Sequence, residues 1–505
     1  MTGRVRSAVV LGAGIAGVAL AAAGPVAGQR PPAGAGPGHG PAHHDMRLVG
    51  HHDLQARSAY QPIVHAQGGR WIAYIGHHGG TAFNPLTMRD EPNGTSIVDV
   101  TDPRHPIYLH HIPGGAGVGE AGGAQMVRAC SGRDLHRANP AADPTREYLL
   151  RATSTAHELW DVTDPARPVR LTEVVGGLRG THKNWWECET GIAYLVSDGR
   201  DLQNIRVAGL PTPMPSWRTN RMTQIFDLSD PRRPVFIRNY GLVGQEPGST
   251  GPVPTGVHGP ISTGPRGNRV YFGHGTGANG ILQIVDRSRL LAGPFDPLRP
   301  SVEDLLAPEV GRLDTPVTMG AHTVFPVLQV PVPEFARNRE DTRVRDIVVL
   351  VNESVANMCQ EPRQMVYLVD VTDEARPFPV ASFDVPEASG GFCARGGRFG
   401  AHASHESFTP RFYRKLVFVS WFNAGVRAVD IRDPWRPREV AFFIPATTGN
   451  TDQRCATVDG QEVCRVAIQT NNVDVDDRGL IYLTDRANTG LHIVELTGDA
   501  RRIVE

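Results

Sequence analysis

Imidazole side chains recur along this chain at the end of one short pattern: a glycine, a small residue and a histidine. It reads Gly180-Thr-His182, Gly256-Val-His258, Gly320-Ala-His322 and Gly400-Ala-His402. Val64-His65 stands at the corresponding place near the start, Gly123-Ala-Gln125 at the next, and Asn471-Asn472 near the end. Imidazole is the commonest side-chain metal ligand and suits zinc, copper, iron and nickel. Ligands of one ion must share a centre roughly 2.0–2.1 Å from each nitrogen. The candidate ligand set is therefore His182, His258, His322 and His402, holding a transition metal such as copper, zinc or iron. His65, Gln125 and Asn472 are further candidates for the same ring of positions. A competing reading gives each histidine a structural role, bonded to a neighbouring backbone. Imidazoles without a metal would still offer acid–base chemistry.

Other residues stand near this pattern. Strand alternation puts Glu406 on the face of His402 and His405 on the other, which makes Glu406 a candidate partner of the ligands. Trp185, Trp186 and Glu187 follow His182 and either wall a pocket or pack between elements. His77, His78, His157 and His274 fall in expected turns on the site's side, and one or two of them are candidates to contribute. His51 and His52 read as structural. The chain has no nucleophile elbow, P-loop, zincin helix or paired-cysteine zinc motif.

What must position these residues is a repeat. Asp-Val-Thr-Asp-Pro-x-x-Pro stands at 99–106 and 161–168, and recurs with changes at 227–234, 370–377 and 430–437. Degenerate copies end at Asp286 and Glu495. The anchor acids lie about sixty residues apart, a period that means a repeat architecture. Each unit holds short β-branched and aromatic runs bounded by Gly, Pro and Asp, such as Lys415-Leu-Val-Phe-Val-Ser420 and Val426-Arg-Ala-Val-Asp430. Four strands per unit and seven units predict an all-β, seven-bladed β-propeller of four-stranded blades. The first strand of each blade lines the channel, so the histidines would face one axis. Asp45-Met-Arg-Leu-Val49 precedes the first blade, and the last unit lacks an outer strand. The N-terminal strand is expected to close the ring there.

Composition sets bounds. Glycine (56) and proline (41) fit many turns, and a net charge of −1 implies neither nucleic acid nor an anionic membrane as partner. Arg4 and Arg6, an apolar stretch over 7–23 and small residues near Ala27-Gly28 read as a signal peptide over 1–28. Within it Gly12-Ala-Gly-Ile-Ala-Gly17 mimics a dinucleotide fingerprint, but no acid stands about twenty residues on. Residues 29–44 read as a disordered Gly/Pro-rich linker, and 45–505 as the propeller. No stretch after the signal could span a bilayer. The six cysteines of an exported chain suggest disulfides. Cys455 and Cys464 flank a short loop and are the expected pair. Cys359–Cys393 and Cys130–Cys188 stand by elimination only, with the pairing of those four open.

Through Val98-Asp-Val-Thr-Asp-Pro103, Trp160-Asp-Val-Thr-Asp-Pro165 and their later copies, the region 45–505 resembles the LVIVD-repeat family of exported bacterial and archaeal propellers. The stretch Ser420-Trp-Phe-Asn-Ala-Gly-Val-Arg-Ala-Val-Asp-Ile-Arg-Asp-Pro-Trp-Arg-Pro437 is similar to a segment of the selenium-binding protein family, which includes the methanethiol oxidases. That likeness implies a propeller with a His-bound copper centre, and supports His182, His258, His322 and His402 as ligands. Two functions are expected. One is a secreted or periplasmic propeller whose metal oxidises a small molecule bound in the channel. The other is a non-catalytic propeller that binds a protein or glycan through its loops.

Overall fold

The computed structural model describes residues 39–207, 210, 213–332 and 343–505. The signal-peptide reading of 1–28 and most of the linker fall outside the described residues. Seven antiparallel sheets follow one another along the chain and form a seven-bladed β-propeller. The strands nearest the axis are Ala59–Gln67, Met126–Ser131, Thr181–Trp186, Val257–Ser262, Thr323–Pro331, Ala403–Ser404 and Thr470–Val475. Each is the first strand of its repeat unit, as the repeat predicts; the sheets of the last two blades also take in a strand from the N-terminal segment.

The Asp-Pro phrase works as a pair of Asx turns. Each anchor carboxylate accepts the backbone N–H two residues on: Asp99 from Thr101 (2.9 Å), Asp161 from Thr163 (2.9 Å), Asp227 from Ser229 (2.8 Å), Asp370 from Thr372 (2.9 Å) and Asp430 from Arg432 (3.1 Å). The second aspartate does the same at Asp102, Asp164, Asp230 and Asp433. These bonds satisfy backbone donors at the joint between the third and fourth strands, where the following proline fixes φ. The motif is a hinge shared by five blades; in blade four Asp286 instead caps a short helix through the Arg289 N–H, and in blade seven Glu495 pairs with Arg47.

Ring closure falls where expected. Met46–His52 pairs antiparallel with Gly490–Leu496 and supplies the outer strand of the last blade, with Met46 opposite Leu496. An apolar layer of Ala59, Ile75, Tyr482 and Ile493 seals that join from both sides. One boundary differs from the sequence reading. Ala42–His44 is not part of a disordered linker but a strand on the outer edge of blade six, with Ala42 opposite Ile444. That edge, Arg438–Ile444, would otherwise present unpaired backbone groups to solvent. The N-terminal segment thus stitches two neighbouring blades.

Three disulfides join Cys130 to Cys188, Cys359 to Cys393 and Cys455 to Cys464. The first ties the inner strand of blade two to the chain just beyond that of blade three. The last crosses the hairpin formed by Gln453–Val458 and Gln461–Val466. No helix among the described residues is long and apolar enough to cross a membrane.

Candidate metal centre on the propeller axis

Inner strands of four consecutive blades deliver His182, His258, His322 and His402 to one place. Their ring centroids follow one another at 4.5, 3.6 and 4.5 Å. All four are buried. His258 Nδ1 donates to the His322 carbonyl (2.6 Å), His402 Nδ1 donates to the Asn471 carbonyl, and His322 Nδ1 meets the Thr323 hydroxyl (3.0 Å). A carbonyl can only accept, so in His258 and His402 the proton sits on Nδ1 and the lone pair on Nε2. Nε2 of His182 and of His258 approach to 2.7 Å, while Nε2 of His322 and of His402 are buried without a hydrogen-bond partner.

A carboxylate that sequence reasoning missed completes the cluster. Glu353 lies two residues past the second strand of blade five and puts its oxygens 3.5 Å from His322 Nε2 and 3.7 Å from His402 Nε2. The ligand atoms of His258, His322 and Glu353 all lie within 4.8 Å of one another. Arg398 Nη1 holds the carboxylate at 2.9 Å. Burial pushes Glu353 above the usual carboxylate range, with Arg398 opposing. Burial likewise holds all four imidazoles well below their ordinary value, aided by Arg221 at His182 and by neighbouring imidazoles at His258 and His322. Neutral imidazole is the form that ligates a metal.

The ring differs from the sequence reading at three places. His65 stays away from the axis: it sits five residues beyond Tyr60 on the same strand and bonds Glu147 of blade two (2.8 Å). Blade one instead presents Tyr60, buried, with its ring 6.2 Å from His182, 6.0 Å from His402 and 4.6 Å from His78. A bulge between Ala59 and Pro62 sets this register. Gln125 donates its amide to the Glu120 carbonyl (3.1 Å) and keeps a buried oxygen without a partner, and Asn472 accepts from the Asn471 side chain (2.6 Å). The four histidines expected in turns lie in strands instead, His77 and His78 in Arg70–Gly79, His157 in Ala156–Asp161 and His274 in Arg269–His274; of these His78 reaches this region and pairs with Glu120 (3.2 Å). His77 bonds Ser96, His157 the Val196 carbonyl and His274 Gln283.

Glu406 does not support the ligands either. Its carboxylate is bound by both Lys183 and Arg128, in a buried triad next to the imidazoles along the inner strands. Lys183 reaches it because blade four has Gly259 after His258; a Cβ there would lie 2.1 Å from Lys183 Cδ. Arg128 also stacks 4.6 Å over Trp185. Glu187 belongs to a separate clasp with Arg287 (2.7 Å).

The glycines of the repeated pattern are not equivalent. A Cβ at Gly180 would find only Asp198 Cβ at 3.9 Å, whereas at Gly320 it would meet the Thr276 carbonyl oxygen at 1.7 Å. Gly180→Ala is expected to change stability by less than about 0.5 kcal/mol. Gly320→Ala should cost about 3 kcal/mol, because backbone rather than a flexible side chain must yield. Urea unfolding midpoints of the two variants check this.

The class defined by the strand pairing is the β-propeller. No family model matches the chain, and no curated protein matches it. Solved structures similar to it include the β-propeller domain of Myceliophteria thermophila Cps50 (Swd1), at 12% identity and a TM-score of 0.42 over 86% of this chain and 97% of that one. A hypothetical selenium-binding protein from Sulfolobus tokodaii is similar at 11% identity and a TM-score of 0.48, over 85% of this chain and 91% of that one.

Proposed function

We propose that this chain is an exported propeller that holds one transition-metal ion, copper, zinc or iron, on its axis. Nε2 of His182, His258, His322 and His402 and the Glu353 carboxylate are the ligand atoms from which the ion draws its coordination. The observation that carries the reading is the pair of orphaned nitrogens, His322 Nε2 and His402 Nε2, buried without a hydrogen-bond partner, the second with its lone pair free. An unpaired buried polar atom is costly, and a cation would relieve both at once. The backbone carbonyls at His258 and His402 Nδ1 fix ring orientation as ligating histidines require. A copper or iron ion would supply electron-transfer chemistry, and small-molecule oxidation is the activity proposed for such an ion; a zinc ion would supply Lewis acidity instead. The chain's own part is to keep the imidazoles neutral, hold Glu353 through Arg398 and exclude bulk water. The repeated Asp-Val-Thr-Asp-Pro phrase supports kinship with LVIVD-type propellers. The three disulfides support an oxidising compartment, the periplasm or outside the cell.

Elemental analysis tests this. Purified protein should hold about one metal ion per chain, at the occupancy expected of a tight site. The double variant His258→Ala/His322→Ala should lose it while keeping its far-ultraviolet circular dichroism. Metal binding should also raise stability by about 4 kcal/mol at 1,000-fold excess over Kd. Metal-free protein whose melting temperature ignores copper, zinc, iron and nickel would overturn the reading. One observation favours the alternative, a loop surface for a protein or glycan. The hairpin of Thr81–Asn84 and Arg89–Pro92 exposes Phe83, Leu86 and Met88, and a metal-free result would direct attention there.

A further inference from the structure

Cations surround the imidazole cluster in excess of their partners. Arg221 stands at the entry to the third strand of blade three, and its carbonyl accepts the N–H of Val257, the residue before His258 (3.3 Å). Its guanidinium is half-buried and makes no hydrogen bond or ion pair with any described residue. Arg486 follows the second strand of blade seven and is buried at 8% exposure. One of its nitrogens, Nη2, donates to Glu120 (3.1 Å), while Nη1 is shut off from solvent without a partner. Arg398 donates to Glu353 and lies 5.4 Å over Phe422, whose ring is 4.9 Å from His402. Arg486 reaches the cluster through Glu120 and His78, whose ring lies 4.6 Å from Tyr60, and Arg221 packs beside the His258 strand, where a Cβ at Gly256 would lie 3.1 Å from Arg221 Cβ; the charges of all three guanidiniums are felt at the Glu353 carboxyl. The Tyr60 hydroxyl has no hydrogen-bond partner among the described residues. Three cations thus face two carboxylates, Glu353 and Glu120, and a divalent metal would add two more positive charges. The neighbouring Lys183–Arg128–Glu406 triad is also one cation in excess.

Unpaired guanidinium groups beside a low-dielectric cluster attract negative charge, and their fork matches an oxyanion with two oxygens. We propose that the axial centre takes a small oxyanion, a carboxylate or an inorganic oxyanion, gripped by Arg221 and Arg486 beside the imidazoles, with the Tyr60 hydroxyl as a further donor. This names the substrate class of the metal centre proposed above and rests on that reading for the anion's place next to a metal. Arg221 is the group that gives the site its selectivity for charge, since it alone of the three has no carboxylate of its own.

Calorimetric titration of acetate, oxalate and phosphate into metal-loaded and chelator-stripped protein tests the proposal, with Arg221→Gln and Arg221→Lys as variants. At least one of the anions should bind saturably to the loaded protein, and the carboxylate and phosphate arms tell the two sources apart. Arg221→Gln should weaken that binding roughly tenfold or more, the scale of a lost charge-assisted bond. Arg221→Lys should recover part of it, and metal content and circular dichroism should stay unchanged in both. Metal-loaded protein that binds none of the three anions, or binds them equally well in Arg221→Gln, overturns the proposal. Anion binding that depends on Arg221 in a protein that never holds a metal sinks the metal reading and leaves the oxyanion site standing.

Discussion

Between pH 7 and pH 5 the melting temperature of this protein should fall steeply. Six histidines away from the axial cluster, His77, His111, His157, His274, His405 and His492, are almost wholly buried. Burial, foremost, drives His157 and His405 down to about 4 and His111, His274 and His492 down to about 3, with His77 also well below its ordinary value. One ring nitrogen of His77, His157, His274 and His405 is already buried without a partner, so a second proton would find no acceptor there. The unfolded chain takes up protons near pH 6.5, and the folded chain does not until far lower. Their stabilising contribution is therefore complete above pH 6.5 and drains away as pH falls toward the folded values. At pH 5 each imidazole costs roughly 2 kcal/mol. Buried acids work in the opposite direction: Glu353 and Asp452 are held above their ordinary range by burial, and two others more strongly. Burial raises Asp474 to about 7 and Asp485 to about 6, so their contribution is complete below the ordinary aspartate range and is lost as pH rises through those values. Acidification from pH 7 recovers about 2 kcal/mol from each at most. The six histidines outweigh the raised acids, and the net loss is a substantial part of the stability of a typical domain, about 5–15 kcal/mol. Calorimetric scans at pH 5, 6 and 7 measure it; a melting temperature flat across that range would refute the account.

Replacing Glu406 with glutamine costs about 3–5 kcal/mol, because two buried cations lose their counter-charge. Lys183 is 1% exposed and Arg128 8%, so neither can turn to solvent without opening the channel. Burial opposes ionisation of Glu406, yet the Lys183 and Arg128 charges together hold its carboxyl below the usual range. Lys183→Met should be milder, since Arg128 keeps its partner. The double variant Lys183→Met/Glu406→Gln should be less destabilised than the sum of the two, the signature of directly coupled sites. Urea unfolding of the four proteins measures the coupling. A Glu406→Gln variant within about 0.5 kcal/mol of the parent would mean that the triad is solvated and contributes nothing measurable.

The architecture was legible because its cause is local and repeated. Five blades share the same Asx turn at the same joint, so the spacing of the Asp-Pro phrase reports the repeat and exposes the two units that lack it, and the last unit's missing outer strand reports the closure. The four histidines were legible for the same reason, being in phase with that turn. Blade one shows where phase was abandoned for residue type. His65 is a histidine near the right place, but Ser58-Ala59-Tyr60 is the stretch in register, five residues earlier. Glu353 and Arg486 come just after second strands and His78 from the end of one, on the side of the sheets where the sequence pattern places the site. Their individual contacts depend on how blades five, seven and one lean together around the axis, and no local pattern encodes that. Glu406 was placed on the correct face of its strand, but its partners Lys183 and Arg128 come from blades three and two.

The stitching of blades six and seven by residues near 42–52 sets an order of events. Arg47 and Glu495, partners across the closing pair, are 448 residues apart. A chain that leaves the ribosome or a translocation pore N-terminus first presents this segment before any of its partner strands exists. It must stay extended and unclaimed until the last hairpin arrives, so the ring latches only at the end of synthesis, and a chain truncated near its C-terminus keeps two open sheet edges that invite self-association.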